Sequence, residues 1–169
     1  MILEFCVSNF LSIKDELKLS FVATTLKESL SEPNDVIPLS DMGLSLVRSA
    51  VIYGANASGK TNVLKAIAFY KRFIVDSFKN SQAGESIDVK NFRLNISTIH
   101  EPTTMEATFA VGEYIYRYGF EVDQKAIHAE WLYRRMNRKR AKEVEIFYRE
   151  GETTTVHAKS PLIQDLVNK

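Results

Sequence analysis

Eight consecutive residues, Gly54-Ala55-Asn56-Ala57-Ser58-Gly59-Lys60-Thr61, constrain this chain more than any other stretch. They satisfy G-x-x-x-x-G-K-S/T, the P-loop pattern, at every fixed position. The pattern has a mechanism. Small residues let the backbone curl until successive N–H groups converge on an anion, and the N-terminus of the following helix completes the site. In such a loop Lys60 reaches the β- and γ-phosphates of a nucleotide, and the Thr61 hydroxyl helps to hold Mg²⁺. The flanks agree. Ala50-Val51-Ile52-Tyr53 is an apolar, β-branched run that reads as a buried strand. Beyond the loop, Val63, Ile67, Tyr70, Ile74 and Phe78 recur at spacings of three and four, the stripe of an amphipathic helix. Strand, glycine loop and helix in that order predict an α/β unit built around a phosphate site. The competing reading is a glycine-containing turn that binds nothing.

The rest of the chain changes period. Near the N-terminus, apolar residues around Glu4 pause at Ser8-Asn9, and Leu17, Leu19 and Phe21 then alternate with polar neighbours, which predicts an antiparallel strand pair. Residues 24–45 hold no sustained period and contain Ser31-Glu32-Pro33-Asn34-Asp35, so they read as a loop excursion with room for a short helix. The polar stretch Lys79 to Glu85 ends the helix after the loop. Alternation then takes over. Met105, Ala107, Phe109 and Val111 form one run, and Tyr114, Tyr116, Tyr118, Phe120 and Val122 share a face opposite Arg117 and Glu121. Ile127, Ala129, Trp131 and Tyr133 form a third run, Val144 to Tyr148 a fourth, and Thr153 to His157 a fifth. This is the pattern of an antiparallel meander whose aromatic stripe is a core face.

Composition sets softer limits. At 169 residues, 45% hydrophobic and 25% charged, the chain is long enough for one domain with its own core. A net charge of +1 gives no global signal for nucleic acid, so any such surface has to be local. Cys6 is the only cysteine, which rules out an intramolecular disulfide and fits a reducing compartment. Glu4 interrupts the first apolar stretch, no basic region precedes it, and no apolar run reaches membrane-spanning length. The expectation is a soluble, cytoplasmic protein with no membrane partner.

Two blocks resemble a known superfamily. Phe5-Cys6-Val7-Ser8-Asn9-Phe10-Leu11-Ser12-Ile13 is similar to the F-x-V-x-N-F-x-S-I opening of the ABC-type head domains in SMC, RecF and OLD-like ATPases. Tyr53 through Asn62 is similar to their Y-G-x-N-x-S-G-K-S-N loop. A third block, Tyr118 to Val122 through Glu130 to Tyr133 and Ile146 to Arg149, resembles bacterial AAA family ATP-binding proteins of the abortive-infection and anti-phage type. The resemblance covers nearly the whole chain. It implies an ATP- and Mg²⁺-binding head that closes as a homodimer and works beside DNA or a nuclease. Its nucleotide contacts would be Gly54, Ala55, Asn56, Ala57, Ser58, Gly59, Lys60, Thr61 and Asn62, with Thr61 as the Mg²⁺ ligand.

Two substitutions depart from the relatives. Leu11 stands where many carry Arg or Lys near the nucleotide, and Thr61 replaces the commoner Ser while keeping its hydroxyl. The second carboxylate centre is a larger departure. Hydrolysis needs an apolar strand ending in Asp followed by Glu, and Phe73-Ile74-Val75-Asp76 fails because it continues the helix. Leu162-Ile163-Gln164-Asp165 is followed by Leu166, and no L-S-G-G-Q-like signature occurs. The resemblance therefore implies that residues 1–169 form the N-terminal lobe of a head (1–78 strands, P-loop and helix; 79–169 the β-rich part), completed by a C-terminal lobe.

Other features carry less. Arg134, Arg135, Arg138, Lys139, Arg140 and Lys142 cluster where two strands meet, either as a phosphate-contacting hairpin for DNA or as a solvated turn. His100, His128 and His157 lack metal-ligand spacing, and no G-x-S-x-G elbow or guanine-reading Asn-Lys-x-Asp appears. Three functions remain open. They are an ATPase head in anti-phage defence or DNA processing, a non-catalytic nucleotide-binding module from a truncated or split protein, and a small P-loop phosphotransferase. The meander after the loop counts against the last.

Overall fold

The computed structural model describes residues 1–24, 36–39, 43–79, 86–151 and 153–156. Among these described residues, nine strands and one helix follow in chain order: β1 (Ile2–Ser8), β2 (Leu17–Ser20), β3 (Val36–Leu39), β4 (Leu44–Val47), α1 (Lys60–Lys79), β5 (Thr103–Val111), β6 (Tyr114–Val122), β7 (Ile127–Met136), β8 (Val144–Glu150) and β9 (Thr153–Val156). Seven strands make one sheet in the order β2-β1-β5-β6-β7-β8-β9, with every neighbouring pair antiparallel. The N-terminal pair and the five-strand meander expected from alternation are both present, and β1 joins them by pairing with β5.

The helix lies on one face of this sheet because both surfaces carry matching apolar stripes. Val63, Ala66, Phe69 and Tyr70 of α1 are buried with Phe5, Val7, Met105, Ala107, Phe120 and Val122 of the strands. Aromatic rings bind the two layers: Phe73 to Phe120 at 4.3 Å, Tyr70 to Phe120 at 5.4 Å and Phe5 to Tyr70 at 5.5 Å between centroids. Such pairs contribute about 0.5–1.5 kcal/mol each beyond the area they bury. The aromatic stripe of β6 is thus a core face where α1 covers it, at Tyr118, Phe120 and Val122. Tyr114 and Tyr116 carry the stripe onward, half-buried against each other and against Phe109.

Three expectations need correction. Residues 24–45 are more than a loop: where described, they hold β3 and the start of β4, which pair antiparallel and carry on to Val47. Ala110 and Ile115 alternate with Phe109 and Tyr116, so they face away from α1, and with Leu3 they bury Leu39 and Leu46 in a second cluster. Residues 50–53 form no strand, with Val51 70% and Tyr53 87% exposed. A strand requires a ladder, and no described strand pairs with this run. Finally, Ile127 does not share a face with Ala129, Trp131 and Tyr133. The register steps from Glu121↔Ala129 to Val122↔Ile127, a bulge at His128, so Ile127 packs into the main core while Trp131 and Tyr133 lie opposite Gly119 and Arg117. On that outer face Trp131 Nε1 donates to Glu106 Oε2 at 2.6 Å, and Arg117 bridges Glu106 and Glu143 at 2.8 and 2.7 Å.

Candidate functional site

The glycine loop lies immediately before the first turn of α1, in the place its sequence requires. Ala57 (φ 62°) and Gly59 (φ 92°) take left-handed backbone on either side of Ser58, the alternation that turns consecutive N–H groups toward one point. Gly59 could not be another residue without strain, since a Cβ there would also sit 2.8 Å from Ser12 Oγ. The Gly59 carbonyl accepts from Asn62 N at 2.8 Å and Val63 N at 3.3 Å and so opens the helix. The amides of Lys60 and Thr61, in the first helical turn, have no carbonyl one turn back to reach.

Lys60 folds back over this curl. Its ammonium donates to the carbonyls of Gly54 (2.8 Å) and Ala55 (2.5 Å) and to Ser58 Oγ (3.3 Å). A cation on the helix turn whose first amides lack helical partners is complementary to an anion such as a phosphate group. The residues present therefore fit the group the motif implies. Thr61 is exposed beside Lys60 in the first turn of α1. Ala55, Asn56 and Ala57 form the outer rim of the curl and are exposed as well.

The loop opens on a cleft of about 580 Å³ walled by Ser58, Gly59, Lys60 and Val63 on one side. The turn between β1 and β2 (Ser12 to Leu17) forms another wall, and Ile52, Tyr53 and Phe92 complete it. That volume lies within the usual range of small-molecule sites. Asp15 and Glu16 put two carboxylates on the cleft, and Lys14 adds a second cation.

The turn that roofs the loop is tightly fixed. Asn9 is 4% exposed with φ 51°, and its Nδ2 donates to the carbonyls of Thr98 (2.9 Å), Glu101 (2.8 Å) and Pro102 (3.3 Å). Its Oδ1 accepts from Phe92 N at 3.0 Å, and its carbonyl accepts from Thr103 Oγ1 at 2.6 Å. Phe10 and Ile13 exchange two 2.8 Å backbone bonds, and Ser12 Oγ accepts from Asn62 Nδ2 at 2.8 Å. Leu11 also has positive φ (51°) and donates its N–H to the Lys90 carbonyl at 2.8 Å. Reasoning from the loop motif missed Ser12, Asp15, Glu16 and Phe92. For Ser12 the signal was present, since the opening block already contained it.

The six basic residues separate. Arg134 and Arg135 lie within β7, on alternate faces, and Arg134 stacks over the Tyr114 ring at 4.5 Å. Arg138, Lys139, Arg140 and Lys142 are exposed in the β7–β8 connection, and the Lys139 side chain lies where a Cβ on Gly43 would approach it to 3.1 Å. His128 pairs with Asp123 at 2.9 Å, and no cluster of three metal-binding side chains occurs among the described residues. Asp76 lies in α1, as its sequence context required. His157, Gln164 and Asp165 lie outside the described residues. Cys6 is half-buried, and burial together with Glu4 pushes its thiol up to about 11. No described helix is long and apolar enough to cross a membrane.

A mixed α-β domain, with an antiparallel sheet and a helix that begins at a lysine-bearing glycine loop, is a layout compatible with AAA-type P-loop domains. Residues 49–157, well over half of the chain, match the family described as "AAA domain, putative AbiEii toxin, Type IV TA system", and the chain belongs to that family. No curated protein and no solved structure matches it.

Proposed function

We propose that this chain binds ATP with Mg²⁺ at residues 54–62. The observation that carries the reading is Lys60. Its ammonium is gathered onto the carbonyls of its own loop, in which Ala57 and Gly59 take positive φ just before α1 begins. In the bound state the amides of Ser58, Gly59 and Lys60 would cradle phosphate oxygens, Lys60 would offset their charge, and Thr61 Oγ1 would ligate the metal. Mg²⁺ supplies neutralisation of the β- and γ-phosphate charge. The family name points to toxin–antitoxin or abortive-infection biology, so a cytoplasmic role in anti-phage defence or DNA processing is the setting we infer.

Hydrolysis is proposed only for an assembly in which a C-terminal lobe and a dimer partner supply the water-orienting carboxylate. The exposed run 50–53 supports this picture, because a strand preceding a P-loop needs neighbours to pair with. A non-catalytic binding module is the second reading, supported by the helical setting of Phe73 to Asp76, which excludes that segment as the second carboxylate centre.

The test is titration with a fluorescent ATP analogue in Mg²⁺. Lys60→Ala should lose tenfold or more affinity, at about 1.4 kcal/mol per decade. Equal binding by both proteins removes the assignment. In the same preparation, phosphate release no faster than in Lys60→Ala is expected, since binding alone lowers no barrier. Turnover lost in Asp15→Asn or Glu16→Gln would instead place the missing carboxylate on the cleft.

A further inference from the structure

We propose that Ser12, held in place by Asn9, is a positioning residue for the nucleotide site and acts through Asn62. The inference rests on the reading of the loop as a nucleotide site. It adds a requirement that the loop motif does not contain.

The geometry begins at Asn9. One end of its amide accepts and the other donates to three carbonyls, a pairing that Asp, an acceptor only, cannot reproduce. These bonds fasten the start of the roofing turn to residues 92–102. Two further anchors follow: Phe10 packs on Phe69 of α1 at 5.7 Å, and Leu11 N–H is bonded to Lys90. Beyond Ser12, Ile13 closes the turn through its two backbone bonds to Phe10, and Lys14 O accepts from Asn9 N at 3.0 Å, so the turn is held on both sides of Ser12.

Ser12 Oγ meets the loop at two points. It accepts the Asn62 amide at 2.8 Å, and it occupies the space beside Gly59 that a Cβ would need. Asn62 follows Thr61 directly and precedes the buried Val63. The Ser12–Asn62 bond thus clamps the first turn of α1 from outside, on the turn that carries Lys60 and Thr61. Phe10 and Val63 hold the same junction through the core, so the clamp adds precision to the site without adding much to stability.

Because the bond is solvent-exposed, its expected effect is modest. Ser12→Ala should weaken the Mg²⁺–ATP analogue about three- to tenfold, the worth of one ordinary hydrogen bond. Asn62→Ala should do the same, and the double variant should lose no more than either single one. The melting temperature of Ser12→Ala should match that of wild type, which separates positioning from a purely structural role. Asn9→Ala should lower both affinity and melting temperature. Should it fail to fold, the Ser12 and Asn62 cycle still decides the matter. If wild type binds but Ser12→Ala binds equally well, or the two effects simply add, the positioning role is overturned and the loop assignment stands. If wild type and Lys60→Ala both fail to bind, both inferences fall.

Discussion

The Tyr70 hydroxyl donates to the Tyr118 carbonyl across 3.0 Å, tying the middle of the loop-bearing helix to the central strand of the seven-stranded sheet. Both rings also flank Phe120, at 5.4 and 6.2 Å between centroids. The contact sets where α1 lies along the sheet, and hence where its first turn presents Lys60. Tyr70→Phe keeps the ring and deletes the hydrogen bond, leaving a partly buried carbonyl without that donor. It should destabilise the fold by about 0.5–1.5 kcal/mol, read from the midpoint of urea unfolding. No change in midpoint would mean that water replaces the hydroxyl at no cost.

The same pair predicts an alkaline limit. Burial above all holds the Tyr70 phenol well above its usual value near 10. Tyr118 is raised by burial and by its hydroxyl's bond to Glu130 Oε1 at 2.6 Å. In the unfolded chain both phenols ionise near pH 10, whereas in the folded protein they stay neutral to higher pH. The folded state then holds more protons, so the stability present below pH 10 declines as pH rises above it. Phenolate absorbance should show Tyr70 and Tyr118 titrating late and together with unfolding, with Tyr133 and Tyr148, also raised by burial, adding to the departure from pH 10. Seven equivalent tyrosines titrating near pH 10 in the folded protein would contradict the packing.

Gly119 and Trp131 stand opposite each other on the outer face, and a Cβ at Gly119 would fall 2.5 Å from the indole ring. Gly119→Ala must therefore push the ring away, straining the Trp131–Glu106 bond. The expected cost is about 1–3 kcal/mol. Trp131 is the only tryptophan, so its emission reports the displacement directly. Unaltered emission with an unaltered unfolding midpoint would show that the strand relaxes freely.

Much of this was legible in advance, and the exceptions have physical causes. The loop, its helix and the meander are local in sequence, so spacing alone exposed them. The β3–β4 hairpin was not, because Pro38 interrupts β3, each strand is four residues long, and their burial depends on Leu3, Ala110 and Ile115 far away in sequence. Val51 and Ile52 look like a buried strand, but that judgement assumed pairing partners which periodicity cannot supply. Trp131 and Tyr133 matched Ile127 in parity, and one bulge at His128 reversed them. At the site, the motif identified the loop but not its roof, since the contact between Ser12 and Asn62 spans fifty positions of chain.

The basic connection between β7 and β8 gives the last prediction. Arg138, Lys139 and Arg140 are exposed and adjacent, whereas Arg134 is committed to Tyr114 and lies back on the strand. If the exposed three meet DNA phosphates, duplex affinity should fall with salt at a log–log slope of about −0.9 per phosphate neutralised. Replacing Arg138, Lys139 and Arg140 together by Ser should flatten that slope by up to about three units and leave ATP-analogue binding intact. Arg134→Ser should act differently, since losing its stack on Tyr114 disturbs packing as well as charge, and a change in melting temperature should accompany any change in slope. An identical slope in wild type and the triple variant would assign the connection to solvent and move any DNA contact off this hairpin.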